Sequence, residues 1–346
     1  NFIYNNTTTR QSGDASVNGI QIEVQNIKCS NGFVHKMTNV ITPLNNMAEI
    51  LRQKSNVSIF NHLIERFCAP YYSEDATKNY NRLYNTNVDS VYQKRFFAER
   101  SQETPLVLTP DGGPVNGQLK FDPEWNCYYA GTAMSSTTTT AIEKDMGVMM
   151  VPTNAALEKY WNTGAGRVLK DYYGSWDNVP DKVVSKLINN NMLNSFVASV
   201  PSKFNNILND ANDELGISKS DIDSVWLGCN GAIYLTNKVF SPTAYVSVSF
   251  PTLINESMSV LYWGIEQLEY NVYLNSLNSY YSFFVPTNNA LLEYIDPCSF
   301  GKSTTQLFRF HYNASALNET DKVWASIWNY DTATGKLIEK DAIYGD

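Results

Sequence analysis

The chain has 346 residues, which at roughly 100 to 200 residues per domain predicts two or three domains. Its 43% hydrophobic and 13% aromatic content excludes a disordered chain, and no uncharged apolar stretch reaches the roughly 18 residues that a membrane-spanning helix needs. Thirty-four acidic against 26 basic side chains give a net charge of −8 without a local basic patch, which excludes nucleic acid as an expected partner.

Asparagine is unusually frequent: the sequence holds 39, together with 22 tyrosines and only 17% charged residues. This balance is commoner in secreted and cell-surface proteins than in cytosolic enzymes. The five cysteines lie far apart without a CxxC pair, which favours buried small side chains over a zinc site or a dense disulfide framework. The chain begins at Asn1 without a signal peptide, and we expect it to be a trimmed segment of a longer exported protein.

The first predicted elements belong to a motif that occurs twice. Residues 31–43 read NGFVHKMTNVITP, and residues 230–242 read NGAIYLTNKVFSP. Asn-Gly favours a tight turn, and the apolar and polar residues that alternate before the final proline favour a strand. Because proline cannot donate a hydrogen bond to a neighbouring strand, each copy predicts a turn followed by a strand at the edge of a sheet.

A helix is predicted next, because apolar residues recur at helical spacing and would form one buried face. These residues are Val57, Phe60, Leu63, Ile64 and Phe67. An insertion follows near residues 73–140, since 108 residues separate Pro43 from Val151 but only 43 separate Pro242 from Val285 in the other copy. If the insertion is the recognition surface, we expect it to be an exposed loop, so that deletion of roughly Glu74 to Ser136 leaves the surrounding module folded.

An aromatic stretch in the insertion is the local candidate for a binding surface. Trp125, Tyr128 and Tyr129 lie beside glycine and proline turns, and such rings can stack on sugars or anchor a protein interface. The competing interpretation, which we favour, is that the three rings pack the insertion onto the rest of the module.

A second repeated motif follows the insertion. Residues 147–161 read GVMMVPTNAALEKYW, and residues 282–295 read SFFVPTNNALLEYI. The apolar run predicts a buried strand, proline ends it, and Thr or Asn can cap the helix that the Ala, Leu and Tyr positions begin. Both copies therefore predict a strand that leads into a capped helix.

Residues with catalytic or metal-binding chemistry form no recognisable site. The sequence has no GxSxG, GxxxxGK[ST], GxGxxG or HExxH motif, and His35, His62 and His311 are too scattered to indicate a metal site. The acidic run at residues 210–216 has its glycine one position too late for a calcium loop. The carboxylates of Asp122 and Glu124 cannot be assigned to glycoside hydrolysis, because their separation depends on the fold. We therefore expect no catalytic residue, metal or cofactor.

The repeated motifs together resemble the fasciclin-like domain, an extracellular adhesion module that also occurs on bacterial surfaces. That family has an apolar strand, a Pro-Thr-containing segment and a helix, and later an Asn-Gly turn into a strand that often contains His, as at His35. An aromatic-His pair that ends a helix is matched by Phe310-His311. The central copy departs from the pattern, with Asn190 and Asn191 near the expected pair.

The resemblance implies an α+β fold, in which each module is a β-wedge with packed helices. Motif order gives three parts, which are the closing strands of a first module at residues 1–43, a complete module at residues 44–245 and the opening part of a third at residues 246–346. The central module is the complete one and carries the insertion.

The resemblance also implies a non-enzymatic adhesion or scaffold protein in tandem modules that binds a protein or glycan partner. Its location would be extracellular or at the cell surface, with any lipid anchor on an N-terminal segment that has been removed. A surface glycan-binding protein that assists carbohydrate uptake is the alternative, and a hydrolase with a hidden site is the third.

Overall fold

The computed structural model describes residues 2–4, 13–101, 105–124, 147–302, 305–331 and 333–344, without the side chains from 339 onwards. The described chain mixes helices and sheets, which confirms the α+β class. The helices are α1 Met47–Arg52, α2 Ser58–Glu65, α3 Glu74–Tyr84, α4 Asn154–Thr163, α5 Arg167–Tyr173, α6 Asp181–Asn190, α7 Phe250–Ile254, α8 Ser259–Gln267 and α9 Asn271–Asn275.

Several small sheets accompany these helices. The strands in the first half of the chain are β1 Ser16–Val17, β2 Ile20–Cys29, β3 Gly32–Met37, β4 Cys68–Tyr72, β5 Tyr92–Phe96, β6 Ala98–Arg100 and β7 Leu119–Phe121. The remaining strands are β8 Gly147–Pro152, β9 Met192–Leu193, β10 Ile222–Gly228, β11 Gly231–Thr236, β12 Tyr294–Ile295, β13 Thr305–Tyr312, β14 Val323–Asp331 and β15 Lys336–Tyr344. The described sheets have the orders β1-β2-β3, β4-β5, β6-β7, β10-β11-β8-β9 and β12-β13-β14-β15.

The sheet β10-β11-β8-β9 lies at the centre of the molecule, with apolar cores on both of its faces. Met149 and Val151 of β8 pack into the larger core together with helices α1, α2 and α4 to α7. Their neighbours Val148 and Met150 point to the opposite face and pack with Phe204 in a smaller core. Because alternate residues of a strand point to opposite faces, β8 can be apolar at four successive positions and have them all buried.

Helix α2 forms as its apolar spacing predicts. All five residues of the predicted face are buried, from Val57 to Phe67. Its hydrophobic face packs into the larger core, so this prediction is confirmed.

The described part of the insertion is built into the same core. Phe96, Ala98, Leu119 and Phe121 are buried and pack together with the helices of the larger core. The deletion of an insertion at about 73–140 would therefore remove core side chains and leave a large cavity. Our expectation that this insertion is a removable exposed loop is wrong, because strands β5 to β7 contribute apolar side chains to the larger core.

The Val-Pro-Thr-Asn motif has different backbone structures in its two copies. In the first, β8 leads to Thr153, whose Oγ1 accepts a hydrogen bond from the Ala156 amide (3.2 Å) at the start of α4. This strand-to-helix junction is confirmed. In the second copy, no strand enters residues 282–286, and only a 3-10 turn at Ala290–Glu293 follows, so the prediction is wrong there.

The asparagine of the motif nevertheless has the same role in both copies. Asn154 Oδ1 accepts a hydrogen bond from the Ile59 amide (3.0 Å), and Asn288 Oδ1 accepts one from the Val260 amide (3.0 Å). Each amide belongs to the second residue of a helix, α2 or α8, whose own N-cap residue makes no side-chain hydrogen bond. The repeat is therefore present in the structure as a shared helix cap.

The two Asn-Gly motifs both form tight hairpin turns, as predicted. In the pair β2–β3, Cys29 is opposite Gly32, and in the pair β10–β11, Gly228 is opposite Gly231. The predicted edge position holds for β3 but is wrong for β11, which lies between β10 and β8. The final prolines do not prevent this, because both strands end several residues before them.

The C-terminal part ends in an antiparallel sheet, β12-β13-β14-β15. Phe310 and His311 lie inside β13, and the His311 ring stacks on Trp324 at a centroid distance of 4.1 Å. The predicted position at the end of a helix is wrong. β13 is rich in aromatic residues, and it pairs with β14 over its whole length, which favours a strand.

Candidate functional site

The aromatic residues that the sequence singled out, Trp125, Tyr128 and Tyr129, lie outside the described residues. The described chain before them ends in an ordered contact. The Pro123 carbonyl accepts hydrogen bonds from the amide of Ala48 (3.0 Å) and from Nδ2 of the buried Asn230 (2.9 Å).

The three histidines belong to separate local contacts. His35 Nδ1 accepts a hydrogen bond from the Asn26 amide (3.2 Å) within the β2–β3 hairpin. His62 Nε2 lies 2.7 Å from Asp177 Oδ1 on the surface, and His311 stacks on Trp324. Within the described residues, no group of three or more His, Cys, Asp and Glu side chains is placed to hold a metal ion.

The carboxylates of the acidic run point to different partners. Both oxygens of Asp210 accept hydrogen bonds from the backbone amides of Thr243 (2.7 Å) and Ala244 (3.0 Å). Asp213 Oδ1 accepts one from Asn278 Nδ2 (2.7 Å). These oxygens serve the fold and do not converge on one point.

The pair Asp122 and Glu124 is also engaged in local structure. Asp122 Oδ1 accepts a hydrogen bond from the Glu124 amide (2.7 Å), and the Glu124 carboxylate forms an ion pair with Arg52. Two carboxylates held in this way do not face each other across a substrate cleft.

One candidate site is a set of exposed tyrosines on β4, β5 and α3. We call Tyr72, Tyr80, Tyr84 and Tyr92 the tyrosine surface. Their exposed fractions are 55%, 41%, 66% and 59%. They form two ring pairs: Tyr72 contacts Tyr92 with centroids 6.2 Å apart, and Tyr80 contacts Tyr84 at 4.7 Å.

The hairpin β4–β5 positions the first pair of rings. Tyr72 lies directly opposite Tyr92, and on the same face Cys68 lies opposite Phe96 at the other end of the strands. Phe96 is buried in the larger core, so the hairpin has an anchored end and an exposed end. Burial raises the pKa of the Cys68 thiol to about 12, which keeps it protonated and unreactive at neutral pH.

Charged residues brace the middle of this face. The Lys94 ammonium forms an ion pair with Glu65 and lies 3.6 Å from the Glu124 carboxylate. Arg52 bridges Glu124 to Glu49 of its own helix, at 3.1 Å from the Glu49 carboxylate. A network of several half-buried charges holds its members more firmly than an isolated surface ion pair. This network therefore helps to hold the hairpin that carries Tyr72 and Tyr92.

Helix α3 positions the second pair. Ser73 Oγ accepts a hydrogen bond from the Ala76 amide (3.2 Å) and begins the helix, and Asn85, with φ of +50°, ends it in the left-handed conformation. Tyr80 and Tyr84 are four residues apart and so share one helix face. The buried Thr77 accepts a hydrogen bond from the Val91 amide (2.9 Å), which ties the helix to the segment before β5.

The side chains of the tyrosine surface are suited to binding a partner. Four amphipathic rings are exposed on a charged helix and on the hairpin next to it in the chain. On that helix, Lys78 donates a hydrogen bond to Glu74 and lowers the pKa of that carboxyl. Exposed Tyr rings can bury a large apolar area while their hydroxyls stay hydrated, which suits an interface.

Sequence reasoning missed this surface, although one signal was present. Tyr80 and Tyr84 have the i, i+4 spacing of a helix face, whereas Tyr72 and Tyr92 are terminal residues of β4 and β5, which the sequence did not predict. The pairing of the second two depends on a 20-residue separation between strands that no local pattern indicates.

No known family model matches the chain, and no curated protein matches it.

Proposed function

We propose that this chain is a non-enzymatic adhesion or scaffold protein of the extracellular or cell-surface kind, which binds a protein partner through the tyrosine surface. The proposal includes the fasciclin-like wedge and the three modules at residues 1–43, 44–245 and 246–346. It is supported by the hairpin and the helix cap that recur along the chain.

The observation that carries the proposal is the exposure of four tyrosines on a hairpin that is anchored in the larger core and on the helix that follows its first strand. Tyr is enriched among residues that dominate binding energy, because its ring brings a large contact area with few rotatable bonds to immobilise. An isolated exposed ring needs no explanation, but two contacting pairs on neighbouring elements of the chain favour an interface.

Ring geometry favours a protein partner over a glycan. The rings of Tyr72 and Tyr92 are inclined at 72°, and those of Tyr80 and Tyr84 at 41°, so neither pair offers one flat platform to successive sugars. Single rings can still stack on a sugar face, and a glycan-binding surface protein remains the second candidate on that account.

The test begins with the labelled chain on an array of secreted and surface proteins and on a glycan array. The strongest ligand is then titrated against a Tyr72→Ala/Tyr92→Ala double variant. Two anchors at about 1 kcal/mol each predict a roughly 30-fold loss of affinity without a change in the melting temperature.

The matched control is Tyr270→Ala/Tyr273→Ala, which removes another contacting pair of exposed rings, 5.9 Å apart, outside the tyrosine surface. This control should bind normally. Unchanged affinity of the first double variant, or a loss confined to the control, would contradict the assigned surface. Binding to glycans alone would favour the second candidate.

A further inference from the structure

Two segments of the chain lack the strand partner that their repeats have. One edge of β3 is open, since among the described residues only β2 pairs with it. Residues 281–286 form no strand, and no backbone hydrogen bond joins them to any described part of the chain. A free edge and an unpaired apolar segment therefore occur in one molecule.

The central sheet shows how the equivalent segments fit together. There β11 follows the second Asn-Gly turn, β8 carries the first Val-Pro-Thr-Asn motif, and the two strands pair in parallel with Ile233 opposite Met149. Aligning the repeats places β3 on β11 and residues 281–286 on β8. The same register would put Val34 opposite Phe283.

Burial differs sharply between these equivalent positions. Ile233 and Met150 are fully buried in the central sheet. Their counterparts Val34 and Phe284 are 52% and 90% exposed. A parallel strand pair is normally covered on both faces, so these apolar side chains are placed for a pairing that one chain does not make.

We propose that a second copy of this chain completes the pairing, with residues 281–286 of one copy adding in parallel to β3 of the other. The chain itself carries the strand that the edge lacks, and residues 281–286 contain no charged side chain that would oppose burial. Two copies related by a two-fold axis can exchange these segments reciprocally, which closes both edges and ends the assembly at a dimer. The dimer does not depend on the tyrosine surface.

Cysteine cross-linking tests the register. In a background where exposed Cys29 and Cys298 are Ser, a Val34→Cys protein is mixed with a Phe283→Cys protein, so that only contacts between copies can join them. Paired strands lie about 4.8 Å apart, within the roughly 4.4 to 6.8 Å that a disulfide spans. We expect a disulfide between these two positions, identified by mass spectrometry of the joined peptides. The control mixture uses exposed Leu277→Cys instead of Phe283→Cys and should not cross-link.

Molar mass by light scattering at high micromolar concentration tests the dimer. The wild-type chain should show twice its monomer mass of 39.0 kDa. Phe284→Lys should return it to the monomer, whereas Phe300→Lys, a change at another exposed Phe of the C-terminal part, should leave the dimer intact.

Three results would overturn the proposal: a monomeric wild type, a dimer that Phe284→Lys leaves intact, or cross-linking with Leu277→Cys as readily as with Phe283→Cys. If circular dichroism shows that Phe284→Lys does not fold, the cross-linking result and the molar mass of the wild-type chain decide whether the dimer forms as proposed.

Discussion

The two Asn-Gly hairpins have the same turn and opposite surroundings. The hairpin β10–β11 lies against β8, and its Ala232, Ile233 and Tyr234 are buried in the two cores. The hairpin β2–β3 has the same two-residue turn, yet Phe33 and Val34 are exposed. The turn is therefore specified locally, whereas burial of the strand depends on the neighbour that pairs with it.

The glycines of the two turns should differ most in how much an alanine substitution lowers stability. Gly231 has φ of +146°, and an added Cβ would lie 2.1 Å from the Gly147 carbonyl oxygen of β8. An added Cβ at Gly32 meets nothing within 4 Å. Gly231→Ala should lower the free energy of unfolding by more than about 4 kcal/mol, or abolish folding, because backbone cannot move aside cheaply.

Gly32→Ala is the matched control and should change stability by less than about 0.5 kcal/mol. Guanidinium unfolding of both variants measures the difference. Similar midpoints would show that contact with β8 does not distinguish the hairpins.

The turn asparagines give the next contrast. Buried Asn230 accepts a hydrogen bond from the Met47 amide (2.9 Å) and donates one to the Pro123 carbonyl (2.9 Å). Asn230→Ala leaves that amide unpaired in the core and should cost about 1 to 3 kcal/mol. Asn31→Ala, on the exposed turn, should cost less than about 0.5 kcal/mol in the same guanidinium titration. An equal loss in both variants would contradict the contrast.

The asparagines of the Val-Pro-Thr-Asn motif should behave alike. Asn154 and Asn288 each cap a helix from a distant segment, so alanine at either position should cost about 1 to 2 kcal/mol. Thermal unfolding of both variants measures this. A neutral Asn288→Ala would mean that the second copy retains the motif without its capping contribution.

The smallest expected contrast is in the dependence on pH. Burial alone would raise the pKa of Asp221, but Lys238 and Ser218 lower it below its ordinary value. The stability that this carboxylate contributes is present above its unfolded pKa of about 3.9 and is lost as the pH falls further. Asp221→Asn should therefore lose less stability between pH 7 and pH 3 than the wild type does.

The control for the pH experiment is Glu23→Gln, which removes the ion pair with Lys36 across the exposed hairpin (2.9 Å). Such a surface pair contributes about 0 to 1 kcal/mol, so the acid dependence of this variant should stay near that of the wild type. Identical pH profiles for Asp221→Asn and the wild type would contradict the prediction.

The sequence was sufficient where local signals and burial agree. The face of α2 is correct because apolar spacing alone decides which side of a helix is buried. The junction at Thr153 is correct because an apolar run, a proline and a cap act within a few residues. The strand predicted from the similar apolar run at residues 282–286 does not form. A strand also needs a partner, and β11 is already paired with β8.

The core strands of the insertion and the Tyr72–Tyr92 pair could not be predicted for a related reason. Phe96 and Phe121 reach the larger core through pairings distant in sequence, so nothing near them distinguishes a core strand from a loop. Tyr72 and Tyr92 meet only because β4 and β5 pair. Side chains brought together by long-range pairing carry no local periodicity.

Hydrogen–deuterium exchange of the two hairpins at low and high protein concentration tests most directly the claim that a neighbouring strand distinguishes them. The amides of β11 should exchange slowly at both concentrations, because β10 and β8 pair with it from both sides. The amides of β3 that point away from β2 should exchange rapidly in the dilute sample and become protected in the concentrated one, together with residues 281–286. Protection of β3 that is the same at both concentrations, or fast exchange of β11, would contradict the account.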